Sequence, residues 1–298
     1  MRTKTAMNLR VGFIGAGKVG TSLGKHFTEH GIPVMGYYSR TEQSARESAN
    51  FTKTKVYKNL EEIITASDVL FLTVSDGEIQ NVWQQVKKYL TDVPKLICHC
   101  SGALTSQIFS GIEETSSYGF SVHPLLAVSS RYESYREISK ALFTIESNVP
   151  GTGEELKELL ECTGITVQQL DSSQKLRYHS AAVMASNLMV GLFHSAEQVL
   201  KSVGFSDGNA HDALSPLLRL NADRIADAGC REALTGPVER NDVETVRTEL
   251  EELMKLDHDV GEIYRLLSKQ ALEVAEEKHV TKNFTKLNIA LEKELDSI

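Results

Sequence analysis

Six residues, Gly15-Ala16-Gly17-Lys18-Val19-Gly20, lie between an apolar run and a helical pattern, and they constrain the fold more than any other stretch. Residues 10–14 read as a buried strand, and a helix is expected from the turn to about residue 30. Glycine at the first position permits a tight turn, and the second glycine lets a pyrophosphate approach the backbone. The third lets the helix pack closely on the strand. The emerging helix offers free N–H groups and the positive end of its dipole to an anion. A GxGxxG pattern alone is a weak signal, but a strand before it and a helix after it read as a dinucleotide-binding turn.

The rest of the first half supports the same architecture. Residues 33–38, 56–57, 68–74, 95–100, 119–122, 141–146 and 166–170 read as strands. Helical stretches such as 78–90 and 154–162 separate them. Strands alternating with helices imply βαβ units and a doubly wound, mostly parallel sheet. After residue 171 the strand signals stop. Residues 173–203 read as one long helix, apolar on nearly every side, which calls for surrounding protein in a bundle or a dimer interface. A cap followed by proline at Ser215-Pro216, a capping box from Asn241 to Glu244, and helices over 258–278 and from about 283 complete an all-α region. The expected fold is therefore an α/β Rossmann domain over residues 1–171 and a helical substrate or dimerisation domain over 172–298.

The end of the second strand selects the dinucleotide. An NAD site places an Asp or Glu there, about 20 residues beyond the motif. This chain has Tyr38-Ser39-Arg40-Thr41 and no acid before Glu42. A guanidinium at Arg40 with hydroxyls at Ser39 and Thr41 suits a 2′-phosphate, so NADP(H) is expected over NAD(H). Ligands of open α/β sheets lie beyond the carboxyl ends of strands, which brings Thr73, Val74, Ser75, Ser101 and Gly102 to the cofactor. Ser75 and Ser101 also suit the N-caps of the following helices.

Candidates for chemistry come from two further places. His123, before Pro124, follows another strand and could serve as a general acid or base, or be a turn residue. His99 points opposite Cys98 and Cys100 and could simply pack against a helix. Lys175 and His179 stand one turn apart where the two domains should meet, with Asn187 two turns beyond. A polar residue in an apolar helix needs a buried partner or a ligand, and Asn187 is the clearest such case. The loop Thr235-Gly236-Pro237 before a helix start could dock a substrate carboxylate or be an ordinary turn.

The bulk numbers exclude other classes. Of 298 residues, 41% are hydrophobic and 24% charged, and the net charge of −8 argues against non-specific nucleic-acid binding. The polar start, Met1 to Asn8, carries no signal-peptide pattern, and the longest apolar stretch, 181–193, is too short to span a bilayer. Cys98, Cys100, Cys162 and Cys230 form no metal-ligand or disulfide pattern. No metal, nucleic-acid or membrane partner is expected, and the compartment expected is the cytoplasm.

Several motifs together resemble a known group: the glycine turn, Ser39-Arg40, His-Cys-Ser-Gly-Ala-Leu at 99–104, Val-His-Pro-Leu at 122–125, Tyr-His-Ser-Ala-Ala-Val-Met-Ala-Ser-Asn at 178–187, and Ala-Leu-Thr-Gly-Pro-Val-Glu-Arg-Asn-Asp at 233–242. The chain is similar to a bacterial Rossmann-like oxidoreductase family whose helical half is a domain of unknown function. More widely it resembles the 6-phosphogluconate and β-hydroxyacid dehydrogenase superfamily, with ketopantoate reductase, pyrroline-carboxylate reductase and prephenate dehydrogenase. The resemblance implies a nicotinamide-dependent enzyme with its substrate between the domains, often dimeric through the helical one. The superfamily's interdomain lysine matches Lys175, while His179 stands where asparagine is expected four residues on. The activity expected is hydride transfer to or from a small polar carbonyl or imine, with His179 or Lys175 as proton donor, Asn187 orienting, and Ser101 or His123 supporting. The competing readings are a non-catalytic NADP(H) sensor or scaffold and a deazaflavin-dependent reductase on the same fold.

Overall fold

The computed structural model describes residues 6–292, so the first five residues of the polar start lie outside it. The chain divides into two compact units, Met1–Ala185 and Ser186–Ile298. The division falls later than the expected 171/172, and in the segment between the two boundaries Lys175 is fully buried.

That unit holds one eight-stranded sheet. Its strands are β1 (Val11–Ile14), β2 (Val34–Tyr38), β3 (Lys55–Val56), β4 (Val69–Leu72), β5 (Leu96–His99), β6 (Tyr118–Pro124), β7 (Leu142–Ser147) and β8 (Thr166–Gln169). Their order is β3-β2-β1-β4-β5-β6-β7-β8, and every neighbouring pair is parallel except β6 with β7. Helices α1 (Lys18–Glu29), α2 (Glu42–Thr52), α3 (Leu60–Ala66), α4 (Asp76–Val86), α5 (Glu154–Glu161) and α6 (Lys175–Ala185) complete the unit. The expected doubly wound, mostly parallel sheet is present.

Alternation along the strands divides the core. Val69 and Phe71 join one cluster with Phe13, Phe27, Tyr37, Cys98, Phe120 and Phe143. Leu70 and Leu72 join another with Ile14, Ile63, Trp83 and Ile97. A central strand covered on both faces reads as a continuous apolar run, as Val69–Leu72 does. Farther along the sheet the pattern changes. Phe120, Val122, Phe143 and Ile145 enter the first cluster. Successive strand residues face opposite ways, so Ser121, His123, Thr144 and Glu146 share the other face, where Ser121 pairs with Glu146 and His123 with Thr144. This is a polar layer: Ser121, Thr144 and Glu146 are buried, as is His99 on β5.

The second unit is helical: α7 (Asn187–Ser202), α8 (Asp207–Ala233), α9 (Pro237–Arg240), α10 (Val243–Leu256), α11 (His258–Lys278) and α12 (Thr285–Glu292). Its core gathers Val246, Leu272, Ala275, Phe284, Leu287 and Leu291. Three expectations are corrected here. The single helix over 173–203 is broken at Ser186 (φ −129°, ψ −78°), whose hydroxyl donates to Asn187 Oδ1 at 3.0 Å. The helix expected from Ser215-Pro216 starts instead at the Ser206 cap, which accepts from Asn209 N–H, so Pro216 lies inside α8. The box expected at Asn241 is shifted by one residue. Asp242 caps α10 through Thr245 N–H, and Asn241 takes the left-handed conformation (φ 64°) that ends α9.

Candidate functional site

The glycine turn opens a cleft of about 510 Å³ at the carboxyl ends of β1, β2 and β4. Its walls include Gly15, Ala16, Gly17, Ser39, Arg40, Thr41, Thr73, Val74 and Ser75. Three glycines serve three purposes there. Gly15 has φ 106°, and a Cβ on it would lie 2.7 Å from the Thr73 carbonyl. At Gly20 a Cβ would come within 2.3 Å of Thr73 Oγ1, so this glycine lets α1 pack on the end of β4. A Cβ on Gly17 would meet nothing nearer than 3.9 Å, which leaves open space over the backbone. Thr73 Oγ1 donates to Gly15 O at 3.0 Å and fixes the turn. The first N–H groups of α1, at Lys18, Val19 and Gly20, have no carbonyl partner within the helix and face the turn.

Beyond β2, Ser39, Arg40 and Thr41 line the far end of the cleft beside Ser44. Behind them Arg131 joins α1 and α2: its guanidinium donates to Thr21 Oγ1, Ser48 Oγ, Ser44 O and Glu47 Oε2 at 2.6–3.2 Å. Sequence reasoning misses this clamp, because a lone arginine in the loop after β6 carries no pattern. Ser75 precedes α4 without a side-chain cap bond and lines the cleft.

The polar layer forms the second part, closed by α6. Lys175 is fully buried and its Nζ has no hydrogen-bond partner. Burial brings its pKa down to about 8, against the opposing charges of Glu146 and Asp76. Nδ1 of His123 and the Tyr178 hydroxyl are 2.8 Å apart, and the two rings meet edge-on at 5.6 Å. His179 stands edge-on to His123 at 5.9 Å, and its Nδ1 is a second buried atom without a partner. Both imidazoles converge on Gly102, where a Cβ would lie 2.4 Å from His179 Nδ1 and 2.8 Å from His123 Nε2. Burial, then Lys175 and His179, lower the His123 pKa to about 4, so its imidazole is neutral at pH 7. Burial likewise pushes the Cys100 thiol up to about 12, which keeps it protonated and inert.

Around this core the polar groups are well tied. Ser101 Oγ donates to Asp76 Oδ2 at 2.7 Å and accepts from Ala103 and Leu104 N–H. The serine therefore takes the capping role that its position also suits. His99 Nδ1 accepts from Ser101 N–H, so its Nε2 donates to Thr105 O, and its ring packs on Phe109. The buried Glu146 carboxylate accepts from Ser106 N–H and Ser106 Oγ, both at 2.7 Å.

The expected residues thus divide into groups. Lys175, His179 and His123 come together, with Gly102 beside the imidazoles and not on the cleft wall. Ser101 adjoins them but is committed to its turn. Asn187 is corrected: it belongs to the second unit and is exposed, bonded to Ser186, and not the buried polar residue expected. The 235–242 loop holds itself: Glu239 is bound by His279, Lys282 donates to the Arg240 carbonyl, and Asn241 Nδ2 donates to Asn283 O. Tyr178, Thr144 and Glu146 escape sequence reasoning, though the alternation Phe143-Thr144-Ile145-Glu146 signals a polar face. Among the described residues no cluster of three His, Cys, Asp or Glu could hold a metal ion, and no helix is long and apolar enough to cross a membrane.

Strand order, glycine turn and cleft define a Rossmann-like fold. The family comparisons agree: residues 3–124 match the Rossmann-like domain, and residues 141–271 match a domain of unknown function, DUF2520. Among solved structures it is similar to protein TM1727 of Thermotoga maritima, at 26% identity and TM-score 0.69, covering 90% of this chain and 99% of that one. A protein of Bacteroides fragilis assigned as an NADP oxidoreductase gives 23% identity and TM-score 0.67 over the same shares. Pyrroline carboxylate reductase of Plasmodium falciparum, solved with NADP bound, gives 13% and 0.57, again with 90% and 99% covered. No curated protein matches the sequence.

Proposed function

We propose that this chain is an NADP(H)-dependent oxidoreductase that passes hydride to or from a small polar carbonyl or imine compound. One observation carries the reading. The glycine-turn cleft and the Lys175–His179–His123 cluster both lie at the carboxyl edge of one sheet, where open α/β sheets bind ligands and do chemistry. The cleft has room for an extended dinucleotide, with its pyrophosphate on the N-terminus of α1 and its 2′-phosphate at Arg40, Ser39 and Thr41. No described residue hydrogen-bonds the Arg40 side chain, which leaves its planar donors for a phosphate. Fold neighbours assigned to or holding NADP support the same cofactor. A nicotinamide supplies hydride. The chain then supplies the proton from Lys175 or His179, with neutral His123 held by Tyr178.

The direct test is fluorescence titration with NADPH, NADH and a deazaflavin coenzyme, followed by a metabolite screen at NADPH absorbance. NADPH should bind best. Arg40→Ala should weaken NADPH by roughly 10–100-fold, the worth of charge-assisted hydrogen bonds, and leave NADH unchanged. Equal affinity for both dinucleotides, or preference for the deazaflavin, overturns the cofactor reading.

The same reading includes self-association. Leu188, Met189 and Val190 on α7 and Leu217, Leu218 and Leu220 on α8 are exposed, a density of apolar surface that a lone chain in water seldom shows. A second copy of this chain is the partner proposed. Light scattering should give twice the chain mass, and Leu217→Glu with Leu220→Glu should return the monomer.

A further inference from the structure

The side chains of Ser39, Arg40 and Thr41 make no hydrogen bond to any described residue, and Thr41 begins α2 without a cap bond. Where this loop sits is therefore set by α2, which follows it directly. The residues that α2 buries are Ala45, Ser48, Ala49 and Thr52, all of them small. Small side chains remove little apolar area from water, so hydrogen bonds decide where such a helix rests. Those bonds converge on Arg131, which lies outside the cleft wall. Its guanidinium donates to Ser44 O in the first turn of α2 at 2.6 Å, to Ser48 Oγ at 2.8 Å and to Glu47 Oε2 at 2.6 Å. A fourth bond, 3.2 Å long, reaches Thr21 Oγ1 on α1. The Thr21 and Ser48 hydroxyls are 2.6 Å apart, and Ser48 Oγ donates on to Ala16 O in the glycine turn.

We propose that Arg131 is a positioning residue that determines cofactor specificity: it fixes the first turn of α2, and through it places Arg40 to grip a 2′-phosphate. The inference rests on the NADP(H) reading above and adds to it a residue that touches no part of the cofactor. The two arginines divide the work. Four hydrogen bonds nearly exhaust the donors of the Arg131 guanidinium, whereas the Arg40 fork is free. The charge of Arg131 is also paired with Glu47, so its effect on a phosphate is one of placement and not of attraction. A planar fork can tie acceptors on two helices at once, which a lysine ammonium on its flexible stem does not do. The Thr21–Ser48 and Ser48–Ala16 bonds do not involve Arg131, so the glycine turn keeps its support without it. Loss of Arg131 is therefore felt at the 2′-phosphate and not at the pyrophosphate.

Fluorescence titration of the full chain with NADPH and NADH tests this on Arg131→Met, Arg131→Lys, Arg40→Ala and the Arg131→Met, Arg40→Ala double variant. Arg131→Met should weaken NADPH about tenfold, the worth of one charge-assisted hydrogen bond, and change NADH by less than about twofold. Arg131→Lys keeps the charge but not the fork, and should lose nearly as much. In the Arg40→Ala background Arg131→Met should cost nothing further, because both residues act through one contact. Losses that multiply in the double variant would place the action of Arg131 apart from Arg40 and overturn the inference. Equal weakening of both dinucleotides marks a purely structural clamp and overturns it too, as does an unchanged preference for NADPH. Should Arg131→Met fail to fold, Arg131→Lys carries the same comparisons, alone and with Arg40→Ala. An unsubstituted chain that binds the two dinucleotides equally, or neither, overturns the NADP(H) reading itself.

Discussion

Two halves of one sheet are built on different physical terms. At β1, β2 and β4 both faces are apolar and the ligand space is shaped by backbone, with Gly15 and Gly20 seated against Thr73. At β5, β6 and β7 one face stays apolar and the other is a buried layer of histidine, serine, threonine, glutamate and lysine. The first half can accept a ligand without titrating anything. The second holds groups whose protonation depends on burial, so it is where pH, charge and chemistry should be felt.

Acid should therefore separate the halves most strongly. His99 and His123 have folded pKa values of about 4 against an ordinary 6.5. Between these values the unfolded chain binds protons that the folded one refuses. Stability present above pH 6.5 is lost as the pH falls toward 4. For fully buried His99 alone the loss is on the order of 3 kcal/mol. His26 on α1 shifts the same way, so a His26→Asn background isolates the polar layer. Lys175 has the same sign in a higher window: its folded value of about 8 lies below 10.5, so its contribution also improves as the pH climbs between them. Urea midpoints across pH, with hydrogen exchange reported per strand, check both windows. Acid opening of β1 and β2 ahead of β5 to β7 would break the comparison.

Substitution at one glycine in each half should give opposite phenotypes. Gly102→Ala puts a methyl 2.4 Å from His179 Nδ1, so the imidazoles must move. A displacement near 1 Å at reacting groups costs about 100-fold in turnover, and NADPH affinity should not change. Gly15→Ala strains a φ of 106° and strikes the Thr73 backbone. A stability loss of roughly 1–3 kcal/mol is expected, along with weakened NADPH binding. Thermal melts and cofactor titrations on the two variants decide it; a shared phenotype would mean that the two halves are one site.

The two halves also differ in how far they can be read from sequence. The glycine turn is local: strand, turn and helix are contiguous, and each glycine answers to a constraint within six residues or to Thr73 at the end of neighbouring β4. Arg40 follows from its position at a strand end. The polar layer is assembled across four elements, and its members are defined by register. Glu146 means little until it stands opposite Ser121 and takes the Ser106 amide. Alternation in Phe120-Ser121-Val122-His123 and Phe143-Thr144-Ile145-Glu146 announces a polar face but not what it meets. Lys175 and His179 are legible as a pair one turn apart, whereas the break at Ser186 is not. Apolar periodicity runs straight through that residue, so sequence alone joins Asn187 to a helix it does not belong to.

A matched pair of small changes sharpens the comparison further. Thr73 Oγ1 donates to Gly15 O at 3.0 Å, and Ser121 Oγ donates to Ser101 O at 3.3 Å. Each is one hydroxyl giving one bond to a backbone carbonyl that begins a functional turn. Thr73→Val and Ser121→Ala should each cost about 0.5–1.5 kcal/mol, the net worth of such a bond. Stability alone cannot tell them apart, and that is their use. Thr73→Val loosens the glycine turn and should weaken NADPH a few-fold with little effect at saturating cofactor. Ser121→Ala releases the Ser101–Gly102 backbone under the imidazoles and should lower kcat a few-fold at unchanged NADPH affinity. If both variants move the same parameter, the division of labour along the sheet is wrong, because equal local losses would then be transmitted equally across β4 and β5.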